Sequence, residues 1–433
     1  MTESSTELSI SWSRECLAGL TAFCAIAYIV FVQPTILASA GFDARLVFAA
    51  TCIASAIACG VMGGWARYPF ALAPGLGEAF FVAHMGRQGE MNPTQLMTLV
   101  FLVGVVMCVL TLANVRQRFL HVLPSALRQG IVIGLGGIIF FVGCREAGLV
   151  YVATQYWNGV AMMLPLPTQL ALGGLVVCAA LQQKEMPGAL LIGMLFVAAV
   201  CWGNGLLHYT GIWGTSALQG LHIPMFDFSI LSDGKYLGWF AIFLVMFFFD
   251  SLGSLVGLAG QAGYLNENHL ARATGTMMSD AIGTMSAGVL GTSPILPFVE
   301  SAAGVRAGGR SGMTAIVVAL CFIATLSFFP LVQFIGGAIP ITEHVAARPV
   351  IAPVMMIIGW GMVMHVRTLV LTNVLTTLPA LITGIVMTLT LSIADGFAAG
   401  LISYCVLHIL AGRWREVHWL LYAASCLFAV RYF

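Results

Sequence analysis

The chain has 433 residues, of which 60% are hydrophobic and only 8% are charged. A soluble protein carries about 25% charged residues, so the composition excludes a set of soluble domains and predicts an all-α polytopic membrane protein. The net charge of +1 excludes a broad basic face for nucleic acid. The eleven cysteines form no CxxC pair and lie mostly in apolar runs, which is typical of small buried side chains rather than disulfides or a zinc site.

Apolar segments, taken in chain order, predict the membrane spans. The polar first fourteen residues and the long apolar run after them argue against a cleavable signal peptide, so we expect the first helix to insert the chain. A span needs about 17–25 mainly apolar residues. The segments of roughly this length are 16–40, 44–65, 94–115, 125–144, 168–182, 187–208, 235–259, 271–290, 311–335, 347–364, 368–391 and 395–412. A last stretch, 417–431, is either a span or an interfacial helix.

Two further segments are short and interrupted by Pro and Gly: ALAPGLGEAFFVAH (71–84) and GTSPILPFVESAAGV (291–305). Non-helical backbone survives at membrane depth only where it lines a protein cavity. The first break, at Ala73, lies 56 residues after Leu17, and the second, at Thr292, lies 57 residues after Lys235. Because each half has an odd number of segments, we predict two inverted seven-segment repeats, about 14 spans in all, with a transport site at broken segments 3 and 10.

The basic residues predict the orientation. With a cytoplasmic N-terminus and fourteen crossings, twelve fall inside and five outside, as the positive-inside rule favours. The inside set is Arg14, Arg67, Arg116, Arg118, Arg128, Lys184, Arg272, Arg306, Arg310, Arg367, Arg413 and Arg415. The outside set is Arg45, Arg87, Arg145, Lys235 and Arg348. We therefore expect a multi-pass protein of a bacterial inner membrane, surrounded by lipid.

Five carboxylates lie within apolar segments or beside their breaks. A charge at the bilayer centre costs at least about 2.5–3.5 kcal/mol, so each requires a partner, a proton or a water-filled cavity. Glu78 and Glu300 occupy the two broken segments and Asp250 lies mid-helix, so we predict that these three line the transport site. The alternative is helix capping, worth about 0.3–1 kcal/mol. Asp280 is either a proton relay or a structural hydrogen-bond partner, and Asp395 is expected to be structural.

Other side chains near these positions carry weaker predictions. The pair Phe80 and Phe81 and the cluster 247–249 could stack on a flat ring or simply pack. His84 could pair with Glu78 across a turn, but a spacing of six residues is poor for a helix, so we expect it to be a polar tip. Gln33-Pro34 is expected to end the first helix, with the amide meeting either a ligand or the freed carbonyls. The sequence contains no phosphate loop, HExxH or GxSxG motif, so neither an enzyme, a metal site nor a cofactor is predicted.

These segments resemble the nucleobase–cation symporter-2 (nucleobase/ascorbate transporter) family, and within it the adenine/guanine/hypoxanthine permease branch. The resemblance is collinear over nearly the whole chain, and the TSP…ESAAGV…GGRSG stretch is highly specific. The matching text is GLTAFCAIAYIVFVQPTILASAGFD, YPFALAPGLGEAFF, FDSLGSLVGLAGQAGYL, SDAIGTMSAGVLGTSPILPFVESAAGVRAGGRSGMTA and SIADGFAAGLISYCVLHILAGR.

The resemblance implies a core domain that moves against a gate domain. The core domain would comprise residues 1–120 and 234–337, and the gate domain would comprise residues 121–233 and 338–433. Two copies could form a homodimer through their gate domains. It implies proton-coupled uptake of a purine nucleobase. The substrate-binding residues that we expect are Glu78, Asp250, Glu300, Phe80, Phe249 and Val299. The proton-coupling residues that we expect are Asp250, Asp280 and Glu300.

The chemistry of a purine fits this interpretation. Carboxylates can accept hydrogen bonds from its ring N–H groups, and backbone N–H groups at half-helix N-termini can donate to its acceptors. A neutral solute is driven inward only by coupling to an ion, and a buried carboxylate is a natural proton carrier because burial disfavours its charged form.

The sequence departs from the branch at two positions. The branch usually has a second Asp where this chain has Phe247, and Leu-Asn where it has Glu78-Ala79. We predict that Glu78 replaces the missing carboxylate. Uracil, xanthine, ascorbate or an anion stays open as the solute, although no Lys or Arg lies within 71–84 or 291–305 to hold an anion. A passive channel is the competing functional class. The acidic residues argue against it, because they lie at paired helix breaks and do not form rings of pore-lining charge.

Overall fold

The computed structural model describes residues 12–116, 124–157, 164–186, 188–207, 211, 213–214, 226–232, 234–261, 264–266, 269–270, 272–342, 345–369, 373–391 and 393–430. The helices of the first half are α1 Trp12–Ile26, α2 Ile29–Ala38, α3 Ala44–Val61, α4 Leu76–Arg87, α5 Pro93–Leu112, α6 Ser125–Glu146, α7 Leu149–Trp157, α8 Leu166–Gln183 and α9 Ala189–Gly203. Those of the second half are α10 Gly234–Gln261, α11 Ala273–Leu290, α12 Ala302–Arg306, α13 Gly312–Thr325, α14 Phe329–Ile335, α15 Ala352–Val363, α16 Val374–Thr390, α17 Ile393–Leu410 and α18 Trp419–Val430. The strands are β1 Leu72–Pro74, β2 Leu265–Asn266, β3 His269–Leu270, β4 Ile295–Pro297, β5 Ile339–Pro340 and β6 Ala346–Ala347.

The helices match the polytopic membrane fold that the apolar segments predict. Six helices or helix pairs of the described residues are long and apolar enough to cross a membrane, and five shorter apolar helices accompany them. The six are Trp12–Ala38, Ala44–Ala66, Pro93–Leu112, Gln129–Glu146, Leu166–Gln183 and Gly234–Leu255. Large apolar side chains on their outer faces, such as Leu389, Leu410 and Val176, are more than two-thirds exposed, as expected of a surface that faces lipid.

Two predicted boundaries are wrong, and both lie beside a proline. The apolar segment 311–335 is two helices rather than one, because Pro330 lies in the first turn of α14 and cannot donate to the preceding helix. Gln33-Pro34 does not end the first helix. The helix is interrupted earlier, at residues 27 and 28, and α2 continues through Pro34 to Ala38.

The two broken segments meet at a short antiparallel sheet. Strand β1 of the first repeat pairs with β4 of the second, with Leu72 opposite Pro297 and Pro74 opposite Ile295. The pairing continues beyond the strands, where the Gly75 N–H donates to a carbonyl of the second segment at 2.9 Å. This crossing confirms that segments 3 and 10 are broken and come together, as an inverted repeat requires.

Each strand of the crossing is held by one side chain from the preceding helix. The Thr284 hydroxyl on α11 accepts from the Ile295 N–H at 3.1 Å and donates to its carbonyl at 3.2 Å. The Cys59 thiol on α3 makes the same two contacts with Leu72, at 3.2 and 3.3 Å. Lipid supplies no hydrogen bonds. These side chains therefore satisfy the backbone N–H and C=O groups that the two-stranded sheet leaves without a strand partner.

The helices pack as two groups that each combine both repeats. Helices α1, α3 and α5 pack against α11 and α13, while α6 and α8 pack against α15 and α16. Small residues permit the close approach: a Cβ at Gly288 would lie 2.5 Å from the Phe101 backbone nitrogen, and one at Gly359 would lie 2.6 Å from the Gly136 carbonyl oxygen. Such contacts are typical of membrane helix interfaces.

Candidate functional site

Two short helices begin where the strands of the crossing end. Helix α4 begins at Leu76, directly after Gly75, and the second short helical segment runs from Val299 through α12. The long helix α10, which carries Asp250, packs against β4 and against both short helical segments. The fold therefore brings the three predicted carboxylates of different segments to one region of the molecule.

Glu78 is the central feature of this region. It is fully buried in the first turn of α4, and within the described residues neither of its carboxylate oxygens has a hydrogen-bond partner. A Cβ at Gly75 would lie 2.0 Å from Glu78 Oε2, so the carboxylate is folded back against the glycine backbone. Asp250 is close enough to interact with it electrostatically. A buried acid with no partner and an acidic neighbour requires a proton or a ligand donor.

Glu300 lies at the start of the second short helical segment and is partly exposed. The Tyr28 hydroxyl, at the interruption between α1 and α2, donates to Glu300 Oε1 at 3.3 Å. Tyr28 was not predicted from the sequence, although its position at the interruption of the first span is the kind of break that marks a site.

A buried polar cluster lies on the opposite strand of the crossing. The Gln33 amide donates to Ser293 Oγ at 2.7 Å and to Thr292 Oγ1 at 3.3 Å, and Thr51 contacts Thr292 at 2.9 Å. The Gln33 amide thus meets the second broken segment rather than the carbonyls freed by Pro34. Its Oε1 atom is buried without a hydrogen-bond partner in the described part of the chain, which leaves one acceptor for water or solute.

The predicted aromatic residues occupy different environments. Phe80 is buried and lines a cavity of about 270 Å³ between α4, α6 and α10. Phe81 stacks on Phe243, with ring centroids 4.6 Å apart, and Phe247 is fully buried. The side chain of Phe249 lies outside the described residues. Val299, the residue before Glu300, is 37% exposed.

Asp280 is paired within the protein. Its two oxygens accept from the Arg116 guanidinium at 2.8 and 2.7 Å, and both side chains are fully buried. Arg116, one of the basic residues expected on the cytoplasmic side, is therefore a buried partner of α11. A buried acid in an apolar helix requires a partner, a proton or a water-filled cavity, and the first Arg after the fourth span was the residue that could have been tested as the partner. Asp395 is partly exposed in the first turn of α17 and lies close enough to His84 to interact.

Among the described residues, no three His, Cys, Asp or Glu side chains gather as they would around a metal ion. The chemistry that the region offers is hydrogen bonding and proton exchange by carboxyl groups. These carboxyl groups can accept hydrogen bonds from a small polar solute at Glu300 and at Glu78, which has Asp250 beside it.

Comparison with known proteins gives a family match over most of the chain. The model of the Xan_ur_permease permease family matches residues 13–399. The putative permease MJ0326 of Methanocaldococcus jannaschii is 37% identical over 423 residues, which cover 96% of this chain and 94% of that protein. The guanine/hypoxanthine permease PbuO of Bacillus subtilis is 35% identical over 435 residues, covering 99% and 98%.

The fold also resembles a solved transporter structure. The transmembrane domain of the cyanobacterial bicarbonate transporter BicA superposes with a TM-score of 0.67 and covers 90% of this chain and 97% of that one. The sequence identity is 13%, so this likeness concerns the arrangement of the helices. The identity of the solute has to be inferred from the residues of the site.

Proposed function

We propose that this chain, which belongs to the Xan_ur_permease permease family of nucleobase–cation symporters, takes up a purine nucleobase across the cytoplasmic membrane in symport with protons. Adenine, guanine and hypoxanthine are the candidate solutes. One observation carries the proposal: a fully buried, unpartnered Glu78 lies beside Asp250 at the crossing of the broken segments. Glu300, at the start of the second short helical segment, is a third carboxyl group at a break.

A purine matches the donors and acceptors of this region. Its ring N–H groups would donate to Glu300 and Glu78, and its carbonyl or ring nitrogen would accept from the free backbone N–H groups in the first turn of α4. The backbone at Val299 and the ring of Phe80 would border the flat face, with Phe249 as a further candidate from α10. The relative named as a guanine/hypoxanthine permease supports a purine over a pyrimidine.

Coupling would arise from the charge balance at the crossing. Two acids as close as Glu78 and Asp250 are not both stable as anions in a buried site, so one would hold a proton until solute and proton leave together. Glu300, which is partly exposed, would bind the solute first. Proton release and solute release are linked because both change the hydrogen bonds of the same carboxyl groups.

The moving parts would be the two groups of helices. We assign residues 1–120 and 234–337 to the core, which carries the crossing, and residues 121–233 and 338–433 to the gate. The N-terminus would lie in the cytoplasm, and two copies would associate through their gate domains. The cavity of about 270 Å³ that Phe80 lines lies at the boundary of these two groups.

Uptake by cells that lack their own purine permeases tests the solute. Cells that express the chain should accumulate labelled guanine or hypoxanthine, and an excess of the preferred unlabelled base should abolish uptake while uracil does not. Competition by uracil, xanthine or ascorbate alone would reassign the solute. Equilibration without accumulation would identify a passive pathway instead of a symporter.

A further inference from the structure

A second charged cluster lies within the core, beside the carboxylates of the crossing. The Arg116 guanidinium binds both oxygens of Asp280 and also donates to the Met277 carbonyl at 2.8 Å and to Thr111 Oγ1 at 3.2 Å. It donates further to Ser251 Oγ at 2.6 Å. Arg116 and Asp280 are fully buried, so α5, α10 and α11 are tied together by one cation without contact with solvent.

Ser251 connects this cluster to the proposed transport site. Its hydroxyl accepts from Arg116 and donates to Asp280 Oδ2, and Ser251 is itself fully buried. It directly follows Asp250 in α10. A serine held on both sides by charged groups fixes the rotation of the helix at this point, and therefore the direction in which Asp250 faces.

We propose that Arg116 and Asp280 form a structural ion pair that positions Asp250 through Ser251, and that Asp280 does not carry the coupling proton. This proposal rests on the proposed function for the identity of the solute, but the pair itself does not depend on it. Asp280 is then a structural hydrogen-bond partner rather than a proton relay. The carboxyl groups at the crossing exchange the proton.

The charge balance of the pair is the physical reason. An Arg side chain does not give up its proton in a protein, so a proton on Asp280 would leave a buried positive charge without compensation. It would also remove one of the two charge-assisted hydrogen bonds, which are about twice as strong as neutral ones. Within the described residues, Ser251 of α10 donates to Asp280 and Cys108 of α5 lies near it. Neither supplies a second negative charge.

A double-neutral variant separates the two roles of Asp280. Either Asp280→Asn or Arg116→Gln alone leaves one buried charge unpaired and should lower uptake by about tenfold or more, with less protein in the membrane. Together the two substitutions remove both charges and keep amide hydrogen bonds. The double variant should recover folding and accumulate the solute against its gradient to within roughly threefold of the original chain.

The contrary result is equally specific. If the double variant reaches the membrane and exchanges labelled for unlabelled solute, but no longer accumulates it when a proton gradient is imposed, Asp280 carries the proton and the proposal is overturned. Should the double variant fail to fold, Ser251→Ala decides. It leaves the ion pair intact, and we expect normal membrane levels with KM raised about threefold or more. An unchanged KM would overturn the positioning role.

The pair can also be tested without any solute. If the original chain transports none of the tested bases, the proposed function fails, and thermal unfolding of the purified protein in detergent still examines the pair. Each single substitution should lower the melting temperature far more than the double substitution does. Additive losses would show that the two residues are not coupled. Arg116→Lys keeps the charge but loses the bidentate contact. Its melting temperature should therefore lie between those of Arg116→Gln and the original chain.

Discussion

Replacing Glu300 by Gln changes the charge of the site and almost nothing else. The two side chains have nearly the same shape, and Tyr28 can donate to the amide oxygen as it does to Glu300 Oε1 at 3.3 Å. What is lost is acceptance of a solute N–H by a charged group, because one carboxylate oxygen becomes an NH₂ donor. The substitution therefore tests solute binding with little risk to the fold.

The expected loss can be derived from one hydrogen bond. A hydrogen bond to a charged group contributes about 1.5–3 kcal/mol, and about 1.4 kcal/mol corresponds to tenfold in affinity. Glu300→Gln should therefore weaken solute affinity by about 10- to 150-fold. Tyr28→Phe removes one donor to the carboxylate but keeps the carboxylate that accepts from the solute, so we expect a smaller loss of solute affinity than in Glu300→Gln.

The assay is the concentration dependence of labelled nucleobase uptake, normalised to the amount of protein in the membrane. Glu416→Gln is a matched control, because Glu416 is exposed and pairs with Arg413 at 2.8 Å on the surface, where such pairs contribute little. It should behave as the original chain does. Normal KM and rate in Glu300→Gln would remove Glu300 from the site and refute this interpretation of the crossing.

Three further predictions concern the crossing itself. Gly75→Ala should lower uptake, since its Cβ would lie 2.0 Å from Glu78 Oε2 and would displace the carboxylate, whereas Gly238→Ala, which meets nothing within 4 Å, should not; equal uptake of the two variants would contradict the packing. Phe247→Asp alone should impair uptake through like-charge repulsion and lost packing, and adding Glu78→Asn should restore part of it; strictly additive effects in this cycle would reject the idea that Glu78 replaces an acid at Phe247. Thr284→Val should lower the melting temperature, because it leaves a strand N–H and C=O unsatisfied at about 1–3 kcal/mol each; an unchanged melting temperature would show that the anchor contributes nothing.

Hydropathy and local breaks predicted most of the fold. The apolar segments place nearly every long helix, and the Pro and Gly residues of segments 71–84 and 291–305 place both breaks. The reason is that lipid imposes a local rule: backbone must be helical or else protected by protein. The pairing of the breaks followed from their equivalent spacing, and the strands β1 and β4 confirm it.

The sequence could not predict which buried polar side chains contact each other, because local patterns do not contain that information. Arg116 follows an apolar span and therefore has the sequence pattern of a loop residue, yet its partner Asp280 lies 164 residues further along the chain. Glu15 is similar: its carboxylate accepts from the backbone N–H groups of Arg310 and Ser311 at 3.0 and 3.1 Å, at the start of α13. Such contacts depend on which helices meet, and the average polarity of a segment carries no information about that.

Accumulation in proteoliposomes tests the central claim most directly. The purified protein, reconstituted in sealed vesicles with an imposed inward proton gradient, should concentrate labelled guanine or hypoxanthine above the outside level. A protonophore should abolish that accumulation, and Glu300→Gln vesicles should stay at the level of empty ones at low solute concentration. Uptake that stops at equilibrium, or that a protonophore leaves unchanged, would contradict proton-coupled purine transport by this chain.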